Sequence, residues 1–305
     1  MSLPEVVFGF GAHSRVGERA ELLRLTARAD RDGLDIFSLS DHPYLGDRLD
    51  AYATLGYVLG RTERLAGFAN VTNLPTRPAP MLARAVTTLS ALSGDRVVLG
   101  MGAGGLWDRI ADMGVPRLTP SAAVDAFEEA ITLVRRLSGG GPPVTHTGHY
   151  EVNHIDPAPT PAPPVWTGSV GAKSLAATGR VADGWLPGHA ADWLSPRYRE
   201  SRPIIDAAAE SVGRDPSEIR TVFNFPGRIT ERPLPATRDH EGRWLGGSSD
   251  QWIEELTGAV LEYGASGFML FSPEGGTADA VTLGRWANEV APAVREAIAK
   301  ERVVS

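Results

Sequence analysis

Short apolar, β-forming runs alternate with longer helical runs along nearly the whole of this 305-residue chain, and that rhythm restricts its fold more than any other feature. Candidate strands are Val6–Phe10, Asp35–Ser40, Leu65–Val71, Arg96–Met101, Val165–Gly168, Gly184–Pro187, Ile219–Phe225 and Gly267–Ser272. Helical patterns fill the gaps. In the third, Met81, Ala85, Leu89 and Leu92 repeat at helical spacing, and Gly94 stands where a C-terminal cap belongs. Near the end, Ser249 or Asp250 can cap a helix whose Trp252, Leu256 and Val260 share one face and which Gly264 ends. Most strand candidates are continuous apolar runs, as expected when helices cover the sheet. Alternating strands and helices imply a parallel sheet, and eight units in ~250–300 residues favour closure into a single (β/α)8 barrel, an α/β fold spanning residues 1–305. An open dinucleotide-binding sheet would need three spaced glycines at the first turn. Gly9-Phe10-Gly11-Ala12-His13-Ser14 lacks the third. Two irregular stretches interrupt the rhythm: Ser138–Pro164 after helix four, with a small hairpin near Val144–Val152, and Pro226–Gly247 after strand seven.

Composition narrows the function. The absence of cysteine removes disulfides, thiolate metal sites and cysteine nucleophiles. Net charge is −7 with both signs dispersed, so neither nucleic acid nor a membrane surface is an expected partner. No run reaches the ~20 apolar residues that span a bilayer, and Met1–Phe10 does not read as a signal peptide. A cytoplasmic enzyme is expected.

In such a barrel, chemistry gathers at the C-terminal ends of the strands. His42, at the end of strand two, is the best catalytic candidate, because an imidazole can donate, accept or shuttle protons near neutral pH. The plainer alternative is a loop residue satisfying turn hydrogen bonds. His13 and His189 occupy weaker strand-end positions. No paired ligands stand on the first strand, and His146, His149, His154 and Asp156 fall in the proline-rich excursion, so no metal is expected. Glycines crowd two strand ends, Gly102-Ala103-Gly104-Gly105 and Gly168-Ser169-Val170-Gly171. The second leads directly into a helix, whose free N–H groups and positive dipole end suit a phosphate; a ligand-free tight turn would use the same residues. Gly171-Ala172-Lys173-Ser174 lacks the spacing of a nucleotide P-loop.

Four segments together resemble the luciferase-like monooxygenase superfamily, which includes FMN-dependent monooxygenases and coenzyme F420-dependent oxidoreductases. They are Gly33–His42 with its terminal Asp-His, Pro80–Gly104, Pro164–Ser169 followed by Ala177–Trp185, and Gly246–Leu256. The resemblance implies that Gly168, Ser169, Val170, Gly171 and Ala172 cradle a cofactor phosphate. It implies that Asn70-Val71 forms a non-prolyl cis peptide under the flavin ring, and that Gly102, Ala103 and Gly104 line the ring or its side chain. His42 matches the family's active-site histidine. The cofactor is FMN or coenzyme F420, with reduced FMN and O2 acting on a small organic substrate as the first reading and hydride transfer by F420 as the alternative. A non-catalytic flavin-binding barrel is the reading of another class. A separate flavin or F420 reductase and a homodimer are implied by the same analogy.

Two departures bear on substrate. Sugar-phosphate dehydrogenases of the family carry a Trp a few residues past the histidine and an acidic residue after the strand-four glycines. Gly46 and Gly105 stand there instead, which leaves His42 without an acidic partner and argues against sugar phosphate oxidation. Trp107, Trp185 and Trp193 either shape an apolar pocket or, as tryptophans more often do, simply pack.

Overall fold

The computed structural model describes residues 3–304. Its strands are β1 (Val7–Ala12), β2 (Ile36–Leu39), β3 (Ala66–Ala69), β4 (Thr72–Asn73), β5 (Leu99–Gly102), β6 (Val144–His146), β7 (Val152–Ile155), β8 (Val165–Thr167), β9 (Gly184–Trp185), β10 (Arg220–Pro226), β11 (Arg228–Thr230), β12 (Gly246–Ser248) and β13 (Gly267–Phe271). The main sheet runs β3-β2-β1-β13-β10-β9-β8-β5-β4, with every pairing parallel. β3 and β4 are halves of one strand, so this order returns to its start. Gly67 N–H donates to Arg96 O at 3.0 Å and Val98 N–H to Gly67 O at 3.2 Å, joining the first half to the strand that β4 also borders. The architecture is the (β/α)8 barrel expected from the rhythm.

The helices are α1 (Arg19–Arg31), α2 (Ala51–Leu59), α3 (Ala79–Ser93), the short α4 (Trp107–Ala111), α5 (Pro120–Arg136), α6 (Ala172–Val181), α7 (Pro196–Glu210), α8 (Ser249–Tyr263), α9 (Ala280–Arg285) and α10 (Ala291–Val304). A π turn over Trp286–Val290 joins the last two. Among the described residues, no helix is long and apolar enough to cross a membrane. One buried cluster takes Val7, Ile36, Phe68, Val98, Trp166, Leu186, Val222 and Met269 from the eight strands or the residues adjoining them, and it fills the barrel interior. A larger cluster, with Phe8, Phe10, Trp252 and Trp286, lies between strands and helices on the outside.

Several local expectations need correction. Met81 and Leu92 are exposed, and α3 instead buries Ala79, Leu82, Ala83, Val86, Thr87 and Ser90. α3 packs chiefly against α5 and shares a buried cluster with Leu99, Met101 and Phe127, so its inner face lies to one side of its bulkiest residues. α8 is capped by neither Ser249 nor Asp250. The Ser248 side chain accepts from Gln251 N–H, and the Gln251 side chain accepts from Ser248 N–H in return. Gly94 and Gly264 do end their helices, with φ of 70° and 67°. The excursions are partly ordered: β6 and β7 pair antiparallel as a hairpin, and β11 and β12 pair parallel.

Candidate active site

The break between β3 and β4 falls at the peptide bond joining Asn70 to Val71, which is cis, as the resemblance implied. A cavity of about 340 Å³ opens beside it at the C-terminal mouth of the barrel, and His42, Tyr44, Asn70, Val71, Asn73 and the segment from Gly102 to Leu106 line it, together with Gly168. A second cavity of about 670 Å³ shares Ala103, Gly104 and Gly168 with the first. It continues past Trp107 and Arg117, between the starts of α5 and α6, to Ser169, Val170 and Gly171. The expected site residues therefore come together in one elongated cleft. Ala172 sits just behind it as the first residue of α6.

The other strand-end histidines lie elsewhere. His13 lines a separate cavity of about 220 Å³ with Glu18 and Thr277. His189 is exposed, its ring edge-on to Phe271 at 5.3 Å between centroids. Two of the three tryptophans are also not cavity walls of this cleft: Trp185 and Trp193 are core residues, while Trp107 does line it. Trp185 still acts on the site from behind, because its Nε1–H donates to Ser169 O at 2.9 Å and holds that loop.

His42 is half-buried and its Nδ1 lies 2.7 Å from the Tyr44 hydroxyl. Burial holds its pKa below the ordinary histidine value; Asp41 opposes the shift and Arg48 adds to it. The imidazole is accordingly neutral at pH 7. Burial likewise raises the Tyr44 pKa.

Asp41, beside the histidine in sequence, is committed elsewhere. Its carboxylate accepts from Arg77 Nε and Nη2, both at 2.7 Å, and from Asn73 N–H at 3.0 Å. Arg77 also reaches Asp50, the residue whose side chain caps α2, at 2.7 Å, and its guanidinium carbon sits 4.6 Å from the Tyr52 ring centre. Tyr52, in turn, bonds Thr72 Oγ1 at 2.7 Å. Burial works against the Arg77 charge, but Asp41 and Asp50 outweigh it and raise its pKa above the ordinary value. Sequence reasoning missed this clamp. Asp41, Asp50 and Arg77 are far apart in sequence, and only the fold brings them under the strand carrying Val71 and Asn73.

The glycines have a more mixed role than expected. A Cβ on Gly102 would stand 2.7 Å from Val71 Cγ2, and one on Gly168 would stand 3.0 Å from the same atom. Both are required by Val71, whose side chain they receive. Gly104 has φ of 101°, which other residues rarely adopt. In the second run, Gly168 N–H is spent on Met101 O and Gly171 N–H on Ser174 Oγ. Among the described residues no acceptor engages the N–H groups of Ser169, Val170, Ala172 or Lys173. These are the orphan donors of a helix start, and they suit a phosphate. In the first cavity, Asn73 Oδ1 is buried without a partner in hydrogen-bond geometry, an acceptor suited to a ring N–H. The residues present thus fit a planar, N–H-bearing ring with a phosphate-bearing tail.

Comparison with known proteins identifies the family. The family model for luciferase-like monooxygenase matches residues 6–295. The F420-dependent glucose-6-phosphate dehydrogenase of Nakamurella multipartita is 28% identical over 240 residues, covering 74% of this chain and 68% of that protein. The phthiodiolone/phenolphthiodiolone dimycocerosates ketoreductase of Mycobacterium tuberculosis is 29% identical over 260 residues, covering 74% and 66%. Among solved structures, the coenzyme F420 dependent tetrahydromethanopterin reductase of Methanopyrus kandleri superposes with a TM-score of 0.76 at 18% identity, covering 95% of this chain and 99% of that one. A long-chain alkane monooxygenase does so with 0.74 at 13%, covering 97% and 92%. At such identities the structures speak for the fold alone, whereas the family match spans nearly the whole sequence. The chain belongs to the luciferase-like monooxygenase family.

Proposed function

We propose that this oxidoreductase transfers hydride between a deazaflavin of the coenzyme F420 type and a carbonyl or secondary alcohol. The observation that carries the proposal is the continuous cleft with a ring-sized compartment at Val71 and His42 and a compartment of unpaired donors at the start of α6. F420 is favoured over FMN because the relatives at 28–29% identity include an F420-dependent dehydrogenase and a ketoreductase. The cofactor supplies the hydride chemistry, and the protein supplies position and proton control. Ser169, Val170 and Ala172 would bind its phosphate through their N–H groups. Val71, seated against Gly102 and Gly168, would support the ring, and Asn73 Oδ1 would accept from a ring N–H. His42 Nε2, which no described residue engages, would hold the proton exchanged with the substrate oxygen.

Sugar phosphate is not the proposed substrate. Gly46 and Gly105 occupy the positions where the resemblance calls for Trp and an acidic residue, and Arg117 at the cleft is paired with Asp108. A small-molecule substrate, a separate reductase to recycle the cofactor and a homodimer complete the proposal. The reading with reduced FMN and O2 rests on the same cleft and the family's monooxygenase members. Fluorescence titration of the purified chain with F420 and with FMN tests both. Tighter binding of F420, and no oxygen uptake with reduced cofactor, is expected. Tighter FMN binding with oxygen uptake would replace the F420 reading, and binding of neither would refute the cleft as a cofactor site.

A further inference from the structure

We propose that Tyr44 is a positioning residue: its hydroxyl donates to His42 Nδ1, fixing the imidazole in the tautomer that presents an Nε2–H to the cleft. This inference rests on the functional reading above only for its consequence, because the tautomer is a property of the protein alone.

The geometry provides the contact, at 2.7 Å, with the rings tilted at 49° and their centres 5.6 Å apart. Chemistry supplies its direction. A phenol O–H is a stronger acid than a neutral imidazole N–H, and an imidazole nitrogen is a better acceptor than a phenol oxygen, so O–H···Nδ1 is preferred over the reverse. The surroundings remove the competitors. The Asn73 side chain also lies beside the hydroxyl, where its amide N–H acts as a donor to the phenol oxygen and lowers the Tyr44 pKa; Asn73 Oδ1 meets no partner in hydrogen-bond geometry, so the hydroxyl's own proton is left for Nδ1. Asp41 cannot orient the ring from its other side, since Arg77 and Asn73 N–H occupy both its oxygens. The remaining charges near the pair, Arg48 by His42 and Arg109 by Tyr44, are cations that accept no proton.

The consequence for chemistry is a defined proton path. Hydride arrival at a carbonyl carbon leaves an alkoxide oxygen. His42 Nε2–H passes its proton to that oxygen while Tyr44 O–H passes its own to Nδ1, giving the alcohol, an imidazole protonated on Nδ1 and a phenolate; that proton then returns to Tyr44 as water protonates Nε2, which restores the starting tautomer. An alkoxide is far more basic than a phenolate, so the transfer runs downhill without an imidazolium or a carboxylate. Tyr44 thereby fills the place left by the missing acidic partner. Alcohol oxidation runs the same path in reverse.

Nitrogen NMR of the full chain labelled with 15N-histidine, in the absence of cofactor, tests the assignment, with His42→Asn identifying the resonances. Between pH 7 and 8 the wild-type signal should show Nδ1 as the bare, hydrogen-bond-accepting nitrogen and Nε2 as the protonated one. In Tyr44→Phe the preference for this tautomer should fall by about tenfold, the bias one hydrogen bond confers, toward that of a free imidazole. A wild-type signal with the proton on Nδ1 overturns the proposal, as does an unchanged tautomer ratio in a folded Tyr44→Phe. The wild-type spectrum stands by itself even where the variant fails to fold. Cofactor titration is scored separately, so a protein with the expected tautomer that binds neither F420 nor FMN would refute the functional reading and leave this assignment in place.

Discussion

Replacing Arg77 by Met removes one side of a nearly sealed ion pair while keeping most of its apolar stem. The Asp41 side chain is 1% exposed and that of Arg77 19%, so solvent screens the pair weakly. Two charge-assisted hydrogen bonds at 2.7 Å are worth about 1.5–3 kcal/mol each. The bond to the half-exposed Asp50 adds about 0–1 kcal/mol, and the contact with the Tyr52 ring about 0.5–2 kcal/mol. Against these stands about 2 kcal/mol of rotamer entropy that a free arginine regains. The net loss is about 4 kcal/mol, within the range that breaking a buried pair costs. Taking about 2.1 cal/mol/K per residue for a 305-residue chain, the midpoint should fall by about 6 °C. Urea unfolding of wild type, Arg77→Met, Asp41→Asn and the double variant closes a mutant cycle. A coupling of about 2 kcal/mol or more is expected, because Asp41→Asn alone also strands its partner. A loss under 1 kcal/mol for Arg77→Met, or additive single variants, would refute the idea that this pair holds the strand end beneath the site.

Three further outcomes follow from the same contacts. Gly168→Ala should cost about 1–3 kcal/mol by overpacking Val71, and Val71→Ala introduced with it should recover most of that loss in thermal melts; no recovery would mean that the glycine serves something other than Val71. Because burial depresses the folded-state pKa of His42, acid protonates it first in the unfolded chain, near pH 6.5. Stability is therefore lost as pH falls through that value and stops falling once the folded form is also protonated. His42→Asn should lack this component, so its stability relative to wild type should improve between pH 8 and pH 5.5, and a difference that does not change with pH would contradict the assignment. Ser248→Ala should lower stability by about 1 kcal/mol through the lost cap of α8, and a change below 0.3 kcal/mol in urea midpoints would mean that the cap carries no weight.

The barrel was legible because its signal is periodic and repeated eight times, so that error in one unit does not shift the rest. Local choices resting on a single residue were less legible. The inner face of α3 was misread because Met81 and Leu92 are bulky, whereas the face packed against α5 is the neighbouring one, with Leu82, Ala83, Val86 and Thr87. Ser248 as the cap of α8 lies one residue before the positions the pattern favoured, within the scatter of helix ends. His42 and the two glycine runs were placed from strand ends, Asn70 and Val71 from the resemblance, and the fold does gather them into one cleft. What the sequence could not carry is why each is there. Gly102 and Gly168 make room for Val71, a neighbour only in space, and Asp41 is bound to Arg77 rather than to His42. Spacing along a chain reports periodicity, but it does not report which side chain a buried carboxylate will meet.

The two cavities overlap only at Ala103, Gly104 and Gly168. A ligand that fills both is in effect two weak binders joined by a tether, and each half arrives at the other's compartment at a high effective concentration. Cutting the ligand at the narrow point, into the ring with its polyol chain and inorganic phosphate, should therefore leave two fragments that bind together without competing, each far more weakly than the intact molecule. Selectivity for a cofactor would then depend on the length and stiffness of its linker as much as on either end, and a chain one or two bonds too short would forfeit the advantage while keeping every contact group intact.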